Sequence, residues 1–309
     1  MIRVFSLLEI ILPILFAFTL GYLFKKKALI NEGAIEGIKT LVMSFMLPCV
    51  VFNAFYKTEF SPRLLIIAVA MFVVCLAGFG LGSVFSRLKS TNFPMMPFLT
   101  TGFEAGMMGF GLYAMLFNGV GVYNFALVDL GQVLFIFTIY MALLNRKKAV
   151  SASATIKKMF TTPVFIAILS GIIVSTSGLG NLITKNPIGS PINSILNYLS
   201  APTGVLMIFV VGYQLVLEKS CLKSALITIT LRTVIMGILC SVLLIFLKGI
   251  IDLEEPLFWA IILMFSLPAP FVLPIFSGDK EQKGYIATSL SLGTILSLIF
   301  FTIITLVKQ

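Results

Sequence analysis

Three ionisable side chains lie deep inside long apolar runs of this sequence: Glu104, Asp129 and Arg232. A charge near the centre of a bilayer costs roughly 2.5–3.5 kcal/mol on insertion scales, so each is expected to face protein or water. Such groups can hold an anion, hold a cation or pass a proton. They can equally be structural: Arg232 is placed to pair with either acid, and Glu104 could be a packed, permanently neutral acid. Asp129 and Gln132 stand three apart and share one helix face. An aspartyl pair of Glu104 and Asp129 is conceivable, but no motif supports it. The sequence contains no histidine, which removes His-based triads, HExxH zinc sites and the usual proton relay near neutral pH. No GxSxG elbow or Walker A loop is present either. Neither a catalytic residue nor a metal or cofactor is expected, and the chain does not read as an enzyme.

The segment carrying Glu104 is a poor continuous helix. It runs Thr100-Thr101-Gly102-Phe103-Glu104-Ala105-Gly106-Met107-Met108-Gly109-Phe110-Gly111, and each interior glycine costs about 1 kcal/mol of helix propensity against alanine. A second poor helix reads Ser266-Leu267-Pro268-Ala269-Pro270-Phe271-Val272-Leu273-Pro274. Each interior proline there removes a backbone donor and clashes with the preceding turn. Open backbone at membrane depth is tolerated only where protein buries it or where it lines a cavity. Paired interruptions at corresponding positions therefore point to a binding site. Glu104, Ala105, Gly106, Gln132, Pro268, Ala269 and Pro270 are the expected substrate contacts. Glu104, Asp129 and Arg232 are the expected coupling or charge-pairing groups. Helix breaks are expected at Pro48, Gly102, Gly106, Gly109, Pro202, Pro268, Pro270 and Pro274. Close helix packing is the competing account of Gly102 and Gly106, as for Gly78 and Gly82.

The rest of the composition demands a bilayer. Of 309 residues, 59% are apolar and 11% charged, with a mean hydropathy of +1.09; a soluble domain carries about 25% charged residues. A disordered chain and a disulfide-stapled secreted domain are excluded on the same ground. The apolar runs exceed barrel strands of roughly 10 residues and predict ten helices, at 4–24, 33–55, 63–86, 95–117, 122–144, 161–178, 191–217, 223–247, 257–276 and 284–307. The first is read as part of the mature protein, because Lys25, Lys26 and Lys27 follow its apolar stretch and no cleavage site is visible. Cys49, Cys75, Cys221 and Cys240 show no CxxC spacing and read as small apolar residues. The net charge of +10 lies in short loops without aromatic interleaving, so nucleic acid is not an expected partner.

Those loops orient the chain. Fourteen cations fall after the odd-numbered spans: Lys25, Lys26, Lys27, Arg87, Lys89, Arg146, Lys147, Lys148, Lys157, Lys158, Lys219, Lys223, Lys280 and Lys283. Six fall on the other side, namely Arg3, Lys57, Arg63, Lys185, Lys248 and Lys308. The positive-inside rule then places both termini outside the cytoplasm. Lys39, with Glu36, lies early in the second span and can snorkel. The polar connection 145–160 is expected to be cytoplasmic, and it separates a first five-helix repeat at 1–144 from a second at 161–309. Pro13 and Gly21 match Pro163 and Gly171. Ile38-Lys39-Thr40-Leu41 before Pro48 matches Ile192-Asn193-Ser194-Ile195 before Pro202, and Leu130-Gly131 with Leu134 matches Leu292-Gly293 with Leu296. Five is odd, so the repeats must be inverted, as in many secondary transporters.

With these residues in view the chain resembles the auxin efflux carrier family, which includes the plant PIN carriers and bacterial malonate- or malate-type permeases. The resemblance covers all ten spans. It rests on Leu12-Pro13 to Gly21-Tyr22 with the following lysines, Leu47-Pro48, the Gly-rich fourth span, Gln132 with Thr138, and the Pro-rich ninth span. Bacterial relatives often carry Asn-x-Gly-x-x-Gly-x-Pro in the fourth span; here Glu104 stands at the Asn position and Gly111 at the Pro position. An ionised Glu104 would repel an anion, so it must be protonated, paired or bound to a cation. The resemblance implies a scaffold of spans 1, 2, 6 and 7, a mobile unit of spans 3–5 and 8–10 with spans 4 and 9 crossing, elevator-like alternating access and a homodimer. The expected function is a multi-pass, plasma-membrane carrier for a small organic anion, a carboxylate, with half-helix N-termini facing it. Burial penalises a charged carboxylate, so Glu104 is expected to couple transport to protons. A sodium-coupled or uncoupled facilitator or channel of the same fold is the alternative, and an intramembrane enzyme a remote one.

Overall fold

A computed structural model describes residues 2–57, 65–88, 95–144, 157, 159–180, 183 and 189–308, with no strand among them. The helices are α1 (Ile2–Lys26), α2 (Glu32–Leu41), α3 (Leu47–Phe55), α4 (Leu65–Leu88), α5 (Met96–Leu99), α6 (Phe110–Leu116) and α7 (Val122–Phe135). They continue as α8 (Met141–Leu144), α9 (Pro163–Thr176), α10 (Gly189–Ser200), α11 (Thr203–Tyr213), α12 (Leu222–Lys248), α13 (Glu255–Ser266) and α14 (Lys280–Lys308). Seven helical segments among the described residues are long and apolar enough to cross a membrane: Leu8–Lys26, Glu32–Phe55, Leu65–Arg87, Val122–Leu144, Gly189–Tyr213, Lys219–Lys248 and Lys280–Lys308. Ala105–Leu116, Pro163–Thr176 and Glu255–Ser266 are shorter apolar helices. Apolar side chains such as Val69, Ile245 and Val307 stand largely exposed, as lipid solvation permits. The described residues are all-helical, and the chain is a multi-pass membrane protein.

Several spans differ from their expected course. The second, expected at 33–55 with a break at Pro48, instead widens before that proline into a π-helical turn, Val42–Met46, in which the Leu47 N–H bonds the Val42 carbonyl five residues back. That wider turn gives the Pro48 ring, in the first turn of α3, room that a regular helix denies it. The seventh, expected to reach 217, ends at Tyr213. Beyond it the Val216 and Glu218 N–H groups donate to the Ser291 and Thr288 hydroxyls of α14 at 2.8 and 3.0 Å. A turn at Ala201 and Pro202, the second of which was an expected break, divides α10 from α11. The fourth and ninth spans are each in two pieces, as described below. Most of the 145–160 connection, the first residues of the third span at 63 and 64, and Arg3, Arg63, Lys89, Arg146, Lys147, Lys148, Lys158 and Lys185 lie outside the residues whose side chains are described. Cys75 and Cys221 are buried, Cys49 and Cys240 partly so, and all four are free thiols.

The chain divides into two compact units. The first comprises Met1–Leu65, Gly106–Leu127 and Ser151–Tyr213. In it α1 packs against α11 with backbones almost touching: a Cβ on Gly21 would strike the Phe209 carbonyl, and one on Gly212 the Phe18 carbonyl. Phe24 and Phe209 meet edge to face at 5.3 Å beside this contact. Likewise α9 packs on α3, where Gly171 lies under the Phe55 side chain. Small residues permit such approach where no water-driven force joins helices in lipid. The second unit comprises Ile66–Ala105, Val128–Val150 and Gln214–Gln309. There Gly131 of α7 lies against the Ala68 carbonyl of α4, and α12, α13 and α14 pack on one another.

The α1–α11 contact leaves no room for a branched side chain. Gly212→Val should therefore destabilise the first unit by about 1–3 kcal/mol, the usual cost of overpacking. Gly237→Ala, whose Cβ meets nothing within 4 Å, should not. Thermal melting of the two purified variants by size-exclusion chromatography checks this, and equal midpoints would contradict the packing argument.

Candidate functional site

The fourth span stops after α5, runs irregularly through Thr100–Glu104 and resumes as the π-helical turn Ala105–Gly109 leading into α6. Gly102 carries φ +69°, a left-handed conformation that glycine adopts without strain. A Cβ there would also press on the Pro270 ring at 3.0 Å. The ninth span stops at Ser266, passes through the extended Leu267, and resumes only as the 3₁₀ turn Leu273–Phe276. Pro268, Pro270 and Pro274 remove three of the donors a continuous helix would need there.

Within the second unit the two breaks touch. The Glu104 N–H donates to the Pro268 carbonyl at 2.9 Å, and the Glu104 carboxylate accepts from the Phe271 N–H at 2.5 Å. One residue thus bridges both interrupted segments, by its backbone and by its side chain. Glu104 itself is only 8% exposed.

An interrupted helix leaves carbonyls without partners at its C-terminal end. Here Arg232 supplies the missing donors. Its guanidinium, 4% exposed, donates to the Leu99 carbonyl at 3.0 Å, the Gly102 carbonyl at 2.6 Å and the Leu267 carbonyl at 3.0 Å. Leu99 and Leu267 lie at the C-terminal ends of α5 and α13, where partial negative charge collects and a cation is favoured. The guanidinium also lies 5.3 Å from the centre of the Phe103 ring. Sequence reasoning placed Arg232 opposite Glu104 or Asp129. Its hydrogen bonds instead go to backbone, because a planar fork of five donors suits three divergent carbonyls better than one carboxylate would.

Gln132 performs a similar service for Phe103. Its amide oxygen accepts from the Phe103 N–H at 2.5 Å, and its amide nitrogen donates to the Phe103 carbonyl at 2.9 Å. The same nitrogen donates to Asp129 at 2.9 Å, so the pair three residues apart on α7 meets as helical spacing requires. Ser297 of α14 donates to the Ser266 carbonyl at 2.5 Å, and Gly293, one turn earlier, admits Pro268. The remaining expected contacts are placed by their segments. Ala105 and Gly106 open the π-helical turn, Gly109 closes it, and Ala269 lies between the two prolines of the second break. Phe103 and Ser297 had no signal in the sequence, since an ordinary phenylalanine and serine become important only through what their neighbours leave unpaired. Among the described residues no cluster of His, Cys, Asp and Glu could hold a metal ion.

A comparison with protein families finds a match to the membrane transport protein family over residues 6–305. The chain belongs to this family, the auxin efflux carrier group. It is a membrane transport protein. No curated protein matches the sequence closely enough to add a relative.

In this transporter Arg232→Met should strand three buried carbonyls, each costing about 1–3 kcal/mol when unpaired, and should markedly lower the melting temperature in detergent. Arg232→Lys keeps the charge without the fork and should recover only part of the loss. If the Met variant melted like the parent protein, the guanidinium would not be holding the breaks.

Proposed function

We propose that this protein is a secondary active carrier of a small organic anion, a carboxylate, working by elevator-like alternating access. The observation that carries the reading is the meeting of two helix breaks through Glu104. Irregular backbone inside a membrane protein is sustained where it builds a site. The substrate carboxylate would meet the open backbone at Glu104 and Ala105, beside the Pro268-Ala269-Pro270 backbone. Gln132, whose amide is committed to Phe103 and Asp129, would position this site.

In the same proposal the three shorter apolar helices cross the membrane with the seven long ones, as two inverted five-helix repeats. The packing supports this. Gly21 of the first span lies against the seventh and Gly171 of the sixth against the second, which is the exchange of partners such a repeat requires. Gly131 of the fifth span approaches the third, and Gly293 of the tenth lies near Ile229 of the eighth. Spans 1, 2, 6 and 7 would form a dimeric scaffold and spans 3–5 and 8–10 the moving part, in the plasma membrane with both termini extracytoplasmic.

Glu104 would couple the cycle to protons. Its carboxylate accepts from Phe271 only while an oxygen lone pair faces that N–H. Taking up a proton therefore alters the bond that ties one break to the other, which links protonation to the geometry of the site. In proteoliposomes, labelled carboxylate should show saturable uptake, counterflow and dependence on an inward proton gradient. Glu104→Gln should retain counterflow and lose the gradient dependence. Unchanged dependence in Glu104→Gln removes the coupling role, uptake that follows sodium instead marks a cation at Glu104, and unitary currents without counterflow mark a channel.

A further inference from the structure

In the second unit α12, α13 and α14 pack on one another without closing completely. A cavity of about 380 Å³ runs between them, bordered by Ile229 to Leu244 of α12, Ile262 to Pro268 of α13 and Gly293 to Ile304 of α14. The stretch of α12 alone covers about 22 Å at 1.5 Å per residue, so the space is a long groove. Gly237 and Ser241, one turn apart, keep its α12 wall low, and a Cβ on Gly237 would meet nothing within 4 Å. Exposed apolar side chains flank the mouth: Val234, Ile238 and Val242 on α12, with Ile299 and Ile303 on α14. The groove therefore opens among side chains that lipid solvates.

Its polar wall residues are already committed elsewhere. The Thr233 and Ser241 hydroxyls donate to the Ile229 and Gly237 carbonyls of their own helix, both at 2.9 Å. Ser266 donates to the Leu263 carbonyl at 2.7 Å. The Arg232 guanidinium is engaged by Leu99, Gly102 and Leu267. Such back-bonded hydroxyls present little to a solute, and the rest of the wall is hydrocarbon such as Leu296 and Phe300, with the Cys240 thiol only a weak donor. A cavity of this kind stays dry and takes up apolar guests, and its lining forgoes dispersion contacts until one arrives. At membrane depth the apolar molecule in supply is a lipid chain, which is long and narrow like the groove. We propose that the groove holds one acyl chain of a membrane phospholipid. One end of it reaches Leu267 and Pro268, whose carbonyls are taken by Arg232 and by the Glu104 N–H. A seated chain thus braces the second helix break from the lipid side. This assignment stands on the packing of α12, α13 and α14 and is independent of the solute carried.

The sequence carries its own reporter. Trp259 is the one tryptophan, and it precedes the groove residue Ile262 by three positions on α13, where side chains are neighbours. Phosphatidylcholine brominated on its acyl chains, titrated into the delipidated full chain in detergent, should quench Trp259 saturably at about one lipid per chain. Unlabelled dioleoyl phosphatidylcholine should compete with it and should raise the melting temperature, as a ligand of the folded state does. Gly237→Leu combined with Ser241→Leu fills the groove from an exposed face. This variant should need at least tenfold more brominated lipid for half-quenching, melt no lower than the delipidated parent, and lose the thermal response to phospholipid. Val69→Phe, on the exposed face of α4, should behave like the parent. Quenching without saturation, parental quenching in the filled variant, or an equal loss in Val69→Phe would each overturn the assignment by showing only boundary lipid. A change of oligomeric state in the filled variant, read by light scattering, would overturn it in favour of a second copy of the chain. Transport assays enter none of these readouts, so failure of the proposed carrier mechanism and failure of this site are told apart.

Discussion

The guanidinium of Arg232 makes the helix breaks possible. Two helices that stop inside a bilayer expose carbonyls that neither water nor lipid can satisfy, and each would cost several kcal/mol alone. Arg232 gathers three of them, from Leu99, Gly102 and Leu267, at 2.6–3.0 Å. Its own charge is in turn stabilised by the carbonyl dipoles and the Phe103 ring. The buried cation and the broken helices thus solve one another's problem. Neither would be tolerated in this position by itself.

Around that point the other polar side chains act as substitutes for missing backbone. Gln132 pairs with both polar groups of Phe103 as a neighbouring strand would. Ser297 answers the Ser266 carbonyl, and Glu104 takes the Phe271 N–H. The consequence is a stretch of open backbone held in place by side chains from α7, α12 and α14. Side-chain support can be rearranged without unwinding a helix, and such backbone suits a membrane transport protein, whose site must be both firm enough to select and able to change.

The family match agrees with the resemblance read from Leu47-Pro48, the glycines of the fourth span and the prolines of the ninth. Those residues are legible because their effect on a helix is local. A glycine or proline weakens the turn it occupies whatever surrounds it, and the breaks at Thr100–Glu104 and after Ser266 follow. The π-helical turn at Val42–Met46 is local too, but Pro48 alone does not say whether a helix ends, kinks or widens. Neighbouring helices decide that: a break was expected at Pro48, and the turn before it widens instead.

What the sequence by itself determined is therefore the membrane class, the approximate spans, the family and the two places where a helix must fail. Each depends on hydropathy summed over a window or on the chemistry of a single residue. Only the tertiary structure decided the partners. Arg232 is 103 residues along the chain from Asp129 and 128 from Glu104, the two acids it was expected to meet, and linear order carries no information about which groups lie within 3 Å. It chose the carbonyls because packing of α12 beside both breaks brought unpaired acceptors to its fork.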